Sequence, residues 1–127
     1  MKDPLTDGMI SAGKELVRRL DSLPEQVVAA FWFYVTDANE WRLVIGTPKA
    51  EVEGRRAVYE SIQMALKQGE DIPELGLQNI VVVRPDDPVI RVLKKMIRTG
   101  PGINGIRFTR NQINNIYIED AYIYTII

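Results

Sequence analysis

Residues 26–35, QVVAAFWFYV, carry one polar side chain, Gln26, followed by nine apolar ones. A run this apolar leaves neither face for water, and it is rich in β-branched and aromatic residues. It reads as a central strand covered on both sides. That requirement constrains the rest of the chain, which must supply a layer for each face. TDANE, 36–40, is a turn by composition. WRLVIGT, 41–47, then alternates, with Trp41, Leu43 and Ile45 on one side and Arg42 on the other. The two segments make an antiparallel hairpin.

Helical spacing appears three times. Over roughly 7–22, Ile10, Gly13, Leu16, Val17 and Leu20 recur on one face, Thr6 or Asp7 is placed to cap the start, and Pro24 follows the end. Over 54–68, Val58, Ile62 and Ala65 form the stripe and Gly69 is placed to close it. A polar connector, 69–78, leads to a short buried strand, NIVVVR, 79–84. Asp87 then caps a third helix with Pro88 at its first position, running to about Thr99 and closed by Gly100. Val89, Leu93, Met96 and Ile97 form its apolar face. GIRFT and INNIYIEDAYIYTII supply one or two further hairpin strands.

The expected order is α-β-β-α-β-α-β-β. It implies an α+β fold, a mixed and mainly antiparallel five-stranded sheet with three helices, in a single domain over 1–127.

Composition removes whole classes of chemistry. The chain has no cysteine and no histidine. Disulfides, thiol catalysis, serine–histidine catalysis and histidine-held zinc or haem are therefore excluded. The formal net charge of −1 creates no global attraction for nucleic acid or membrane. No run approaches the roughly 20 apolar residues of a membrane span, and MKDPLTDGMISAGKEL has no secretory pattern. The expectation is a cytoplasmic protein without membrane contact.

Two stretches spell phosphate-binding letters. Gly100-Pro101-Gly102-Ile103-Asn104-Gly105 matches G-x-G-x-x-G, and Gly8 to Glu15 comes within one residue of G-x-x-x-x-G-K-[ST]. A dinucleotide fingerprint needs its glycines after a strand and before a helix, whose N-terminal N–H groups face the pyrophosphate. Here they follow a helix and lead into a strand, so the helix end they meet carries partial negative charge. Gly100 as helix terminator, Pro101 as stop and Asn104-Gly105 as a tight turn account for the residues. The second match lacks a preceding strand and has Glu15 where magnesium needs a hydroxyl. Its Gly13 fits close packing of the first helix against the sheet. No cofactor is expected.

What remains is charge. Arg84 to Arg110 holds seven basic residues against Asp86 and Asp87, a local balance of +5, whereas residues 1–75 carry nine basic and thirteen acidic, a balance of −4. Arg91, Lys94, Lys95 and Arg98 recur at i, i+3, i+4 and i+7 on the third helix, with Arg84, Arg107 and Arg110 around it. The stripe reads as a surface for an anionic ligand, nucleic acid or an acidic protein partner, or as a solvated helix face whose last-turn cations suit the dipole.

Asp86, Asp87, Glu119 and Asp120 sit at or inside strand segments. Acidic residues at strand ends can hold magnesium without histidine, with Lys94 or Lys95 offsetting charge in a phosphodiesterase or nuclease. Against this, Asp87 has a capping role and Glu119-Asp120 suits a bulge or turn. The expected catalytic set is none and the expected metal is none, with the phosphodiesterase as the alternative.

Trp32, Tyr34, Trp41, Tyr117, Tyr122 and Tyr124 read as core more readily than as a stacking platform. The doubly apolar strand and the C-terminal YIYTII leave apolar surface for a second subunit, most simply a twofold homodimer. The leading expectation is a non-catalytic binding or regulatory module. A purely structural protein-interaction subunit is a further alternative.

Overall fold

The computed structural model describes residues 4–21, 27–68, 72, 75–100 and 102–127. Gln26, Pro24, Gly69 and Pro101, which the sequence assigns to a strand start, helix stops and a cap, lie outside the described residues. Helix α1 spans Asp7–Asp21, strand β1 Ala29–Val35, β2 Glu40–Gly46, helix α2 Lys49–Val52, α3 Arg55–Lys67, β3 Ile80–Val83, α4 Pro88–Met96, β4 Ile106–Ile113 and β5 Ile116–Ile126. The strands form one sheet in the order β3-β2-β1-β5-β4. Only β2 and β3 run parallel, and the crossover that parallel pairing demands is supplied by α2 and α3. This is the α+β architecture expected from the sequence, with β1 in the centre of the sheet.

Two cores flank the sheet. On one face, Leu16, Val17 and Leu20 of α1 and Val58, Ile62 and Ala65 of α3 meet Trp32, Trp41, Leu43, Ile45, Val82 and Tyr124. On the other, Ile90, Val92 and Leu93 of α4 meet Phe31, Val44, Ile118, Ala121 and Ile123. The alternation read in 41–47 is therefore real. Trp41, Leu43 and Ile45 join the first core, whereas Arg42 lies with Phe31 and Val44 beside the second. Local signals set the helix ends. Thr6 Oγ1 accepts from the Met9 N–H at 3.1 Å, and Asp87 accepts from the Val89 N–H at 2.9 Å ahead of Pro88. The Tyr59 hydroxyl of α3 accepts from Val82 N at 3.1 Å and donates to Ile80 O at 3.3 Å, which satisfies backbone groups of the edge strand β3.

The structure differs from the sequence reading in four places. A four-residue helix, α2, precedes α3, and a single turn is too short to leave a periodic signature. Helix α4 ends at Met96, three residues early, because Ile97 is extended (φ −138°, ψ 127°). Thr99 instead runs beside the end of β5, its N–H donating to Ile126 O and its hydroxyl accepting from Ile126 N, both at 3.0 Å. Gly100 does adopt a positive φ of 71°, but past the helix end. Asn104 and Gly105 make no tight turn; the Asn104 N–H donates to Tyr124 O at 2.7 Å, and Gly105 lies so close to Tyr122 that a Cβ would strike its hydroxyl. Finally, the buried row of α4 is Ile90, Val92 and Leu93, while Met96 is 56% exposed.

The β4–β5 hairpin holds non-glycine residues with positive φ at two places. Asn114 (φ 50°) and Asn115 (φ 68°) form its tip, the doubly positive conformation of tight hairpin turns. Arg110 also has a positive φ, 49°. Around it the alternation slips, so that Ile106 and Phe108 before it and Ile113 after it all pack on the α4 face. On β5 the matching slip puts Ile118 and Ala121 on that same face.

Candidate functional site

The seven basic residues singled out in the sequence fall into two groups. Arg84, Arg107 and Arg110 have carboxylate partners. Arg84 reaches Glu51 at 3.0 Å and Asp86 at 3.7 Å, and Arg110 reaches Glu119 at 3.8 Å. Arg107 holds Asp120 with two bonds of 2.5 and 2.6 Å. The Arg107 guanidinium also lies 5.7 Å from the Trp41 ring centroid, which puts it on the α1–α3 face of the sheet, opposite α4. Asp120 is buried at 1% exposure, and its bidentate bonds keep the guanidinium charged and raise its pKa above the ordinary arginine value despite partial burial. The pair is a structural tie between β4 and β5.

Arg91, Lys94, Lys95 and Arg98 differ. Among the described residues, no carboxylate lies within ion-pair distance of any of them. Arg91 and Lys95, one turn apart, share a flank of α4; Lys94 is half-buried; Arg98 is exposed in the extended segment beyond the helix rather than on its i+7 row. The flank of Arg91 and Lys95 faces the tip of the β4–β5 hairpin. A hollow of about 250 Å³ lies between them, lined by Pro88, Arg91, Val92, Lys95, Asn114 and Ile116. The helix end supplies little to it, because Pro88 has no N–H and the Val89 N–H is taken by Asp87. Recognition there falls to side chains.

The opposite flank of α4 borders a second hollow, about 180 Å³, lined by Phe31, Phe33, Val35, Val44, Val81, Val83 and Val89, with Arg42 and Asp87. Phe33, Val35 and Val81 stay half-buried there, because the nine residues of α4 are too few to cover the sheet's whole second face.

The four carboxylates of the alternative reading do not gather. Asp86 and Asp87 follow β3 whereas Glu119 and Asp120 lie on β5, with two strands, β2 and β1, between them. Asp87 caps α4, Asp86 faces Arg84, Glu119 faces Arg110 and accepts from the Tyr117 hydroxyl at 3.3 Å, and Asp120 holds Arg107. Among the described residues, no three acidic side chains converge as a metal site would need.

Of the two phosphate-loop look-alikes, Gly13 lies inside α1, and the described part of 100–105 precedes β4 rather than a helix. Of the aromatics, Trp32, Tyr34, Trp41 and Tyr124 are core, Tyr122 is half-buried, and Tyr117 is half-exposed.

Sequence reasoning missed Asn114. The Asn-Asn pair between two alternating segments was its signal, since few residues but asparagine and glycine accept two successive positive φ angles. Nothing local indicated that this tip would face α4. Among the described residues no helix is long and apolar enough to cross a membrane. No family model matches the chain, and no curated protein and no solved structure matches it.

Proposed function

We propose that this protein is a non-catalytic binding or regulatory module that engages an anionic ligand or partner through the outer surface of α4, and that it works as a homodimer. One observation carries the first part. Arg91, Lys94, Lys95 and Arg98 have no carboxylate at ion-pair distance among the described residues, whereas Arg84, Arg107 and Arg110 each have at least one. Four uncompensated cations over eight residues attract polyanions and cost like-charge repulsion within the fold. The dimer rests on the apolar hollow on the other flank of α4. Phe33, Val35 and Val81 leave it incompletely covered, and its lining holds one cation, Arg42, and one anion, Asp87, a combination suited to a self-complementary twofold contact.

The test is a titration of labelled single- and double-stranded nucleic acid across a salt series, with and without magnesium, read by anisotropy and on a denaturing gel. Binding that falls steeply with salt, is lost in the Lys94→Glu/Lys95→Glu variant and produces no cleavage supports the reading. Magnesium-dependent cleavage that vanishes in Asp87→Asn overturns it in favour of a phosphodiesterase. Absence of nucleic-acid binding at low salt leaves an acidic protein partner, sought by capture with wild type against the charge-reversed variant.

A further inference from the structure

The hollow between α4 and the β4–β5 tip has properties that a stripe of surface cations lacks. Its two cations lie at i and i+4 on one helix flank, so they approach a common point from the same side. An amide side chain, Asn114, stands opposite on a backbone fixed by its tight turn. Apolar groups, Val92 and Ile116, complete the lining. At ~30 Å³ per displaced water, a space of about 250 Å³ admits a ligand of on the order of ten heavy atoms. A bare inorganic ion would leave most of it unfilled.

We infer that this hollow is a binding site for a small phosphomonoester, with Arg91 and Lys95 taking the phosphoryl oxygens, Asn114 donating through its amide, and Val92 and Ile116 packing on the ester's carbon body. The inference rests on the anionic-ligand reading above and gives it a chemical class. A phosphomonoester carries close to two negative charges at neutral pH, which the two cations match, while a carboxylate or sulfate ester carries one. Arginine adds a planar fork and lysine a point charge, the two ways in which side chains hold phosphate.

The match in charge yields a signature. Among the described residues no carboxylate lines the hollow, and the chain has no histidine. Between about pH 5 and pH 7.5 the change in charge therefore belongs to the ligand, whose second ionisation falls near pH 6.

The experiment is an NMR titration of the intact protein with phenyl phosphate, and with phenyl sulfate as a monoanion of the same shape. The expected result is a saturable shift confined to the amides of Arg91–Lys95 and Asn114–Ile116. Phenyl phosphate should bind about tenfold or more tightly than phenyl sulfate near pH 7.5, and the preference should shrink near pH 5. Arg91→Gln, Lys95→Gln and Asn114→Asp each weaken binding about tenfold or more, whereas Arg56→Gln, exposed on α3 across the sheet from the hollow, leaves it unchanged. Aspartate accepts the positive φ of position 114, so that variant keeps the hairpin tip.

Failure to saturate, equal affinity for the two esters at both pH values, or equal loss in Arg56→Gln overturns the inference. The salt-series titration with nucleic acid separates the two readings. Polymer binding without phenyl phosphate binding leaves the α4 stripe standing and removes the hollow; phenyl phosphate binding without polymer binding upholds the hollow as a small-molecule site.

Discussion

The Trp32 indole N–H donates to the Tyr124 hydroxyl at 3.0 Å, and that hydroxyl donates in turn to the Ile10 carbonyl of α1 at 2.5 Å. Both rings are buried, Trp32 at 0% and Tyr124 at 1% exposure. The relay joins the central strand β1 and its neighbour β5 to the helix above them. It requires α1 to approach closely, and Gly13 permits it: a Cβ there would stand 2.5 Å from the Tyr124 hydroxyl and 2.7 Å from Trp32 Nε1.

Gly13→Ala is therefore expected to destabilise the protein, although alanine is the better helix former by about 1 kcal/mol. The added methyl must push the relay apart, an overpacking cost of about 1–3 kcal/mol with a strained buried hydrogen bond added. Chemical denaturation measures the net effect. A stabilised Gly13→Ala protein would show that α1 does not lie this close to the sheet.

Tyr124→Phe leaves the buried Trp32 N–H without its partner and should cost about 1–3 kcal/mol. The same residue predicts an alkaline effect. Burial raises the Tyr124 pKa above the ordinary tyrosine value, with the Trp32 bond and the Lys14 backbone N–H opposing in part. A raised folded-state pKa favours the neutral phenol, so this stabilisation is complete below about pH 10 and declines as pH rises beyond it. Stability measured upward from about pH 9.5 should fall more steeply in wild type than in Tyr124→Phe. Parallel curves would contradict the assignment.

On the acid side, Glu15 bridges Arg18 and Arg19 of its own helix, and these bonds lower its pKa to about 2. Arg19 in turn donates to Ala65 O at the end of α3 at 3.0 Å, so the carboxylate helps to orient the tie between the two helices. A lowered folded-state pKa gives stabilisation that is present above the ordinary glutamate value and lost as pH falls toward 2. Glu15→Gln should flatten the acid limb of the stability curve over that interval, and an unchanged limb would rule the tie out as a contributor.

Arg107 and Arg110 are three residues apart on one strand, yet their substitution should differ. Arg110 is 81% exposed and 3.8 Å from Glu119, a surface pair worth about 0–1 kcal/mol. Arg107 neutralises a carboxylate with 2% exposure, and its removal leaves that charge buried. Because Arg107 itself is 46% exposed and water can reach the gap, the expected cost of Arg107→Gln is about 1–3 kcal/mol, below that of a fully buried pair. Denaturation of both glutamine variants side by side decides it, and equal losses would contradict the difference in burial.

The proposed dimer is checked by sedimentation. Wild type should sediment as a dimer and Val81→Lys, which puts a charge at a half-buried position beside the apolar hollow, as a monomer with unchanged circular dichroism. A monomeric wild type at high concentration would remove the homodimer.

Local patterns determined much of this protein. The apolar run around Ala29–Val35 demanded a central strand, the Val58, Ile62 and Ala65 spacing specified a helix face, and Asp87-Pro88 marked a helix start, because each is enforced by burial or hydrogen bonding within a few residues. Gly13 was legible as a close contact, but its counterpart, Tyr124, was not, since 111 positions separate them. Tertiary structure decided the rest. Helix α4 stops at Met96 because residues 97–99 turn to the end of β5, a competition invisible in the helix's own sequence. The slip around Arg110 and Glu119 frees a strand from strict alternation, while Arg107 and Asp120, diagonal neighbours in the register on one side of it, meet on the side away from α4. The basic residues looked like one set in the sequence; pairing with carboxylates distant along the chain withdraws three of them and leaves Arg91 and Lys95 facing Asn114. Charge is countable along a chain, but neutralisation depends on distance in space, and only the fold fixes that distance.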